Sequence, residues 1–113
     1  MGMRLHVAKT YKIEYASSEA FNYKVPEFKD LLDALYVTYT GETYDNDFEV
    51  SKEELRVGID SLKNMDSISS EQQDCINKAL QSLECDIKEA IETLEYCLNN
   101  ADPDNDYMFF SFF

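Results

Sequence analysis

Hydrophobic and polar positions recur along this chain with two different periods, and the periods divide it into strands and helices. From Met3 to Tyr15 the odd positions are Met3, Leu5, Val7, Lys9, Tyr11, Ile13 and Tyr15, while the even positions are polar or small. That period of two predicts a long, half-buried strand with its odd face inward. Lys9 interrupts the odd row and predicts a bulge or bend near Ala8 to Thr10. Ala16 to Glu19 reads as a loop.

A helical period then takes over. Pro26 suits a first turn, where its missing N–H costs nothing, and Phe28, Leu31, Leu32 and Leu35 follow at i, i+3, i+4 and i+7. Tyr36 to Thr40 is aromatic and β-branched and predicts a strand that Gly41 ends. Phe48 to Val50 predicts a short pairing segment. Ser51 with Glu54 forms a capping box for a second helix whose Leu55, Ile59 and Leu62 face the core. Gly58 weakens that helix by about 1 kcal/mol relative to alanine.

The longest pattern runs from Ser69 to Asn100. Ile76, Leu80, Leu83, Ile87, Ala90, Leu94 and Cys97 return to one face in alternating steps of four and three. Ser69 with Gln72 supplies a capping box at the start, and Asn99, Asn100 and Pro103 mark the end. This predicts one long helix over about 70–99, reaching about 45 Å at a rise of about 1.5 Å per residue. The closing run Tyr107, Met108, Phe109, Phe110, Ser111, Phe112 and Phe113 is too apolar for a solvated tail and predicts a buried aromatic strand beside the first strand or the long helix. The expected fold is therefore α+β over residues 1–113 as a single domain. A small, mainly antiparallel sheet packs on three helices, one of them long.

Charge changes the picture more than size does. The 113 residues carry 10 Lys and Arg against 23 Asp and Glu, a formal net charge of -13. Acids and bases balance as far as Thr38, so the whole excess lies in the remainder of the chain. Such a potential repels nucleic acid and steers basic proteins. No apolar run approaches the roughly 18 residues of a membrane span. Cys75, Cys85 and Cys97 are odd in number and too far apart along one helix to pair, which, with no leader-like segment, points to a reducing cytoplasm.

Candidate chemistry is sparse. The chain holds a single histidine, His6, and its glycines are isolated, so paired-imidazole sites and glycine-rich phosphate loops are excluded. Asp102, Asp104 and Asp106 follow the alternating spacing of a calcium loop, and Asp45, Asp47 and Glu49 nearly repeat it. Tyr107 stands where the first of these loops needs glycine, and the twelfth position counted from Asp45 is Arg56, so these six are weak metal candidates, and no cofactor is indicated. Glu84, Asp86, Glu89, Glu92 and Glu95 surround the outer side of the long helix and are the candidate partner-binding residues. Six tyrosines, Tyr11, Tyr15, Tyr23, Tyr36, Tyr39 and Tyr44, cluster in the first half of the chain, with the composition of a contact patch.

The expected function is non-enzymatic: a small acidic binding or regulatory protein whose partner is another protein, of basic character. One specific form is an inhibitor, nucleic-acid mimic or immunity-type protein acting through the acidic surface. A small metal-dependent enzyme or enzyme subunit using the acidic loops is the alternative from a different class. Apolar surface at Ile91 and Leu98 adds the expectation of a homodimer.

Overall fold

The latest strand in the chain sits inside the sheet. The computed structural model describes residues 5–10, 14–18, 24–41 and 46–112. Strands β1 (Leu5–Thr10), β2 (Glu14–Ser18), β3 (Asp47–Ser51) and β4 (Tyr107–Phe112) form one antiparallel sheet in the order β2-β1-β4-β3. Among the described residues four helices accompany it: α1 (Val25–Ala34), α2 (Lys52–Lys63), α3 (Ser70–Leu83) and α4 (Ile87–Asn100), with a 3-10 turn at Met65–Ser67. The α+β class, the antiparallel sheet and the aromatic strand beside the first strand all agree with the sequence pattern.

Register explains which residues enter the core. Leu5 pairs with Phe112 and Val7 with Phe110, while Phe48 pairs with Phe110 and Val50 with Met108. Paired residues share a face, and all of these are buried. Phe28 of α1 drops onto that face, its ring centroid 5.5 Å from Phe110, 5.9 Å from Phe48 and 6.2 Å from Phe112. Burying each such ring contributes about 2 kcal/mol or more, so the aromatic strand is core. Lys29 beside it is also buried, its ammonium 4.7 Å from the centroid of the Phe48 ring and 5.3 Å from that of Tyr39, a cation–π arrangement. Around the sheet, α4 lies on β1 and β2, α2 on β3 and α4, and α1 on α3.

Three expectations are corrected. The long helix about 70–99 is two helices, because Glu84 takes a left-handed conformation (φ 58) that closes α3. Asp86 then caps α4, its carboxylate accepting the Glu89 N–H at 2.8 Å. A continuous rod of about 45 Å would also exceed the 40 Å longest dimension of the molecule. The break leaves the apolar stripe in use: Ile76, Leu80 and Leu83 are buried on α3, and Ala90, Leu94 and Cys97 on α4. Secondly, the long N-terminal strand is two paired strands, with a register shift between Ala8 and Thr10 where Lys9 breaks the pattern. Residues 11–13 lie outside the described residues. Thirdly, of Tyr36 to Thr40 only Tyr39 bridges a strand, opposite Val50, and Tyr36 is left-handed.

Candidate functional site

The end of α1 builds the most distinctive surface among the described residues. Helices often end with a left-handed residue, usually glycine, which lets two N–H groups turn back onto open carbonyls. Here Tyr36 N–H donates to the Asp33 carbonyl at 3.0 Å and Val37 N–H to the Leu32 carbonyl at 2.8 Å. The left-handed residue is Tyr36 itself, at φ 60. A non-glycine residue pays roughly 1 kcal/mol for that conformation. Its neighbours hold it there. Leu35 and Val37 are buried and close on Gly58 of α2, where an added Cβ would stand 3.2 Å from Leu35 Cβ and 3.2 Å from Val37 Cγ2. The glycine that weakens α2 is what allows α2 to approach the end of α1. Gln72 of α3 completes the clamp, its side-chain N–H donating to the Ala34 carbonyl at 3.0 Å.

Clamped on both sides, Tyr36 projects outward with 73% of its surface exposed. It stands between two depressions. One, of about 420 Å³, opens between α1 and α3 over Ala34 and Ala79, with Asp30 and Asp33 on one wall and Glu71, Cys75 and Lys78 on the other. The second, of about 390 Å³, lies between Tyr36, Leu35 and Val57 and is edged by Glu53 and Glu54. Val57 is 59% exposed. An aromatic residue and an aliphatic one thus flank concave surface within an acidic rim.

The rim carboxylates differ in their surroundings. Desolvation, then the charges of Asp33 and Glu27, raise the Asp30 carboxyl above the ordinary 3.8. Glu54 goes the other way: it accepts the hydroxyl of Thr38 at 2.6 Å and its N–H at 2.8 Å, which lower its carboxyl below 4.5.

The residues singled out from sequence are placed as follows. Glu84 closes α3 and lies 3.5 Å from Lys24; Asp86 caps α4. Glu89 and Glu92 are exposed on α4, and Glu95 pairs with Lys63 of α2 at 2.9 Å. The five carboxylates therefore do not line one rod. In the other acidic segment, Asp102 Oδ1 accepts the Asp104 N–H at 2.9 Å, and buried Lys52 ties the loop down through the Asp102 carbonyl at 2.6 Å and the Asp106 carbonyl at 3.0 Å. Asp47 accepts the Ser111 hydroxyl, and Glu49 N–H donates to Thr40 Oγ1 at 3.0 Å; Asp45 lies outside the described residues. Among the described residues no three Asp, Glu, His or Cys side chains gather as a cation would need.

His6 pairs with Ser111 across the strands. Ser111 in turn pairs with Asp47, so it stands between His6 and Asp47 in register. Cys97 is buried, Cys85 half-buried and Cys75 exposed. Burial pushes the Cys97 thiol up to about 12, and burial with Glu89 and Asp86 pushes Cys85 up to about 11. Of the clustered tyrosines, Tyr36 and Tyr39 have described side chains. Ile91 and Leu98 pack half-buried against the core. Among the described residues no helix is long and apolar enough to cross a membrane.

Tyr36 is the residue that the sequence pattern misassigned, placing it in a strand. The aromatic cluster pointed to its region; nothing in the pattern pointed to its backbone. No family model, curated protein or solved structure matches this chain.

Proposed function

We propose that this is a non-enzymatic binding protein whose partner is another protein, held at the surface around Tyr36. The observation that carries the reading is the clamped tyrosine, 73% exposed in a left-handed conformation that helix ends ordinarily give to glycine. Backbone strain of this kind persists where surrounding structure enforces it and clusters at sites of function. Aromatic side chains held rigidly beside concave surface are what dominates binding energy at protein interfaces. Exposed Val57 widens the apolar contact, and the carboxylates around it give the rim a polar, charged character.

The test compares the parent protein with Tyr36→Ala as immobilised baits in extract of the native cell. The parent retains a discrete protein that Tyr36→Ala loses, while both baits give the same circular dichroism spectrum. Equal retention by both baits, or retention by neither, overturns the reading.

A further inference from the structure

We infer that the groove between α1 and α3 receives a basic amphipathic helix of the partner, an apolar side chain entering over Ala34 and Ala79 and cationic side chains meeting Asp30, Asp33 and Glu71. The inference rests on the protein-binding reading above and adds the chemistry of the occupant. Its first ground is shape. The depression of about 420 Å³ lies between two packed helices and has a floor of buried alanines, so an entering side chain meets apolar surface without displacing a large residue. A groove between helices suits an incoming helix, which presents apolar anchors at i, i+4 and i+7.

The second ground is charge complementarity. Three carboxylates line the groove against one ammonium, that of Lys78, and α1 has no basic residue in its last turn. The carboxylates repel one another: after desolvation, the charge of neighbouring Asp33 is the next cause that raises the Asp30 carboxyl. A lysine or arginine brought between them replaces that repulsion with attraction, and the net charge of -13 steers such a partner in from a distance. An acidic or neutral helix of the same shape would gain the apolar contact alone.

Cys75, exposed on the groove wall, supplies a reporter, because the raised thiols of Cys85 and Cys97 react slowly near neutral pH. The probe is a synthetic lysine–leucine amphipathic helical peptide, with a glutamate–leucine peptide of the same pattern as its counterpart. The lysine peptide slows alkylation of Cys75 about tenfold or more, and the glutamate peptide leaves it unchanged. Tyr36→Ala and the pair Asp30→Asn with Asp33→Asn each weaken the lysine peptide by about tenfold or more, equivalent to roughly 1.4 kcal/mol. Asp60→Asn with Asp66→Asn, the same loss of charge elsewhere, has less than a twofold effect. Undiminished Cys75 reactivity with the peptide bound overturns the inference. So does weakening by Glu89→Gln with Glu92→Gln while the groove variants bind normally, which places docking on α4. In either case a partner captured through Tyr36 leaves the protein-binding reading standing; if that capture also fails, both fall.

Discussion

At the end of α1 and again at the end of α3, a residue with a side chain occupies the left-handed position: Tyr36 at φ 60 and Glu84 at φ 58. The hydrogen bonds are the same at both ends. Glu84 N–H returns to the Gln81 carbonyl and Cys85 N–H to the Leu80 carbonyl at 3.1 Å each, as Tyr36 and Val37 return to Asp33 and Leu32. The surroundings differ. Val37 is buried and the α1 end is clamped by Gln72 and by the close approach of Gly58, whereas Cys85 is only half-buried and Glu84 meets Lys24 at the surface. One end fixes the backbone beneath an exposed aromatic side chain; the other joins two helices. The two ends share a backbone motif and differ in the side chain it displays and in the neighbours that hold it.

The largest effect that would break this contrast comes from Gln72→Ala. It leaves the Ala34 carbonyl without its partner in a buried place, and stability falls by about 2 kcal/mol, measured by urea denaturation. If the α1 end is the clamped one, Tyr36 also becomes more mobile in NMR relaxation while Glu84 does not. Next come the glycine replacements. Tyr36→Gly and Glu84→Gly each relieve the left-handed penalty and raise stability by up to about 1 kcal/mol, a rise of roughly 4 °C in Tm. Only Tyr36→Gly abolishes partner capture. A stabilised protein that no longer binds separates display from folding in a single variant.

A smaller effect is expected at Asp30. Its carboxyl is raised in the folded protein, so the folded state holds the proton more tightly. Stability therefore falls as pH rises from the ordinary 3.8 through the raised value, and the cost persists at neutral pH. Asp30→Asn removes that cost. Its Tm exceeds the parent's at pH 7 by a small margin, and the margin vanishes on acidification below the ordinary value. Glu54, lowered by Thr38, follows the opposite sign: its contribution is present at neutral pH and is lost as pH falls through its lowered value. The smallest effect is that of Lys24→Gln. The Lys24–Glu84 pair is 3.5 Å apart with the Glu84 side chain 78% exposed, so the change stays under about 0.5 kcal/mol and disappears in about 1 M salt.

Much of the fold is legible in the periods of two and 3.6. The odd face of the first strand, the second helix with its Ser51 cap, the Ser69 cap and the buried aromatic strand all follow from patterns that burial enforces. What the pattern hides is where a helix stops without glycine or proline. Leu83 and Ile87 keep the same spacing across the break as within a helix, and Glu84 is a good helix former. Only Asp86, followed by Glu89 three residues later, carries a start signal, since that pair resembles a capping box. Tyr36 was hidden for the same reason: its neighbours Val37 to Thr40 favour strands, and the bonds that turn it left-handed depend on helix α1 behind it and on Gly58 far along the chain. The acidic loop near the C-terminal strand was legible as a turn, and its anchoring was not. Asp102 and Asp106 lend carbonyls to Lys52, a contact fifty residues away in sequence that no local pattern contains.

The position of β4 has a consequence for how the protein assembles. Strands β1 and β3 do not pair with each other; each pairs with β4, which follows every other element in chain order. Until β4 docks, the sheet exists as two disconnected pieces, and both of the inner strand edges that β4 will fill are open. The contacts that join Leu5 to Phe112 are far apart in sequence, so closing that loop costs chain entropy before the pairing offsets it. Without β4, Leu5, Val7, Phe48 and Val50 lose their strand neighbours Phe112, Phe110 and Met108, while Phe28 of α1 still meets Phe48. The last strand in chain order is thus the one that joins the two parts of the sheet.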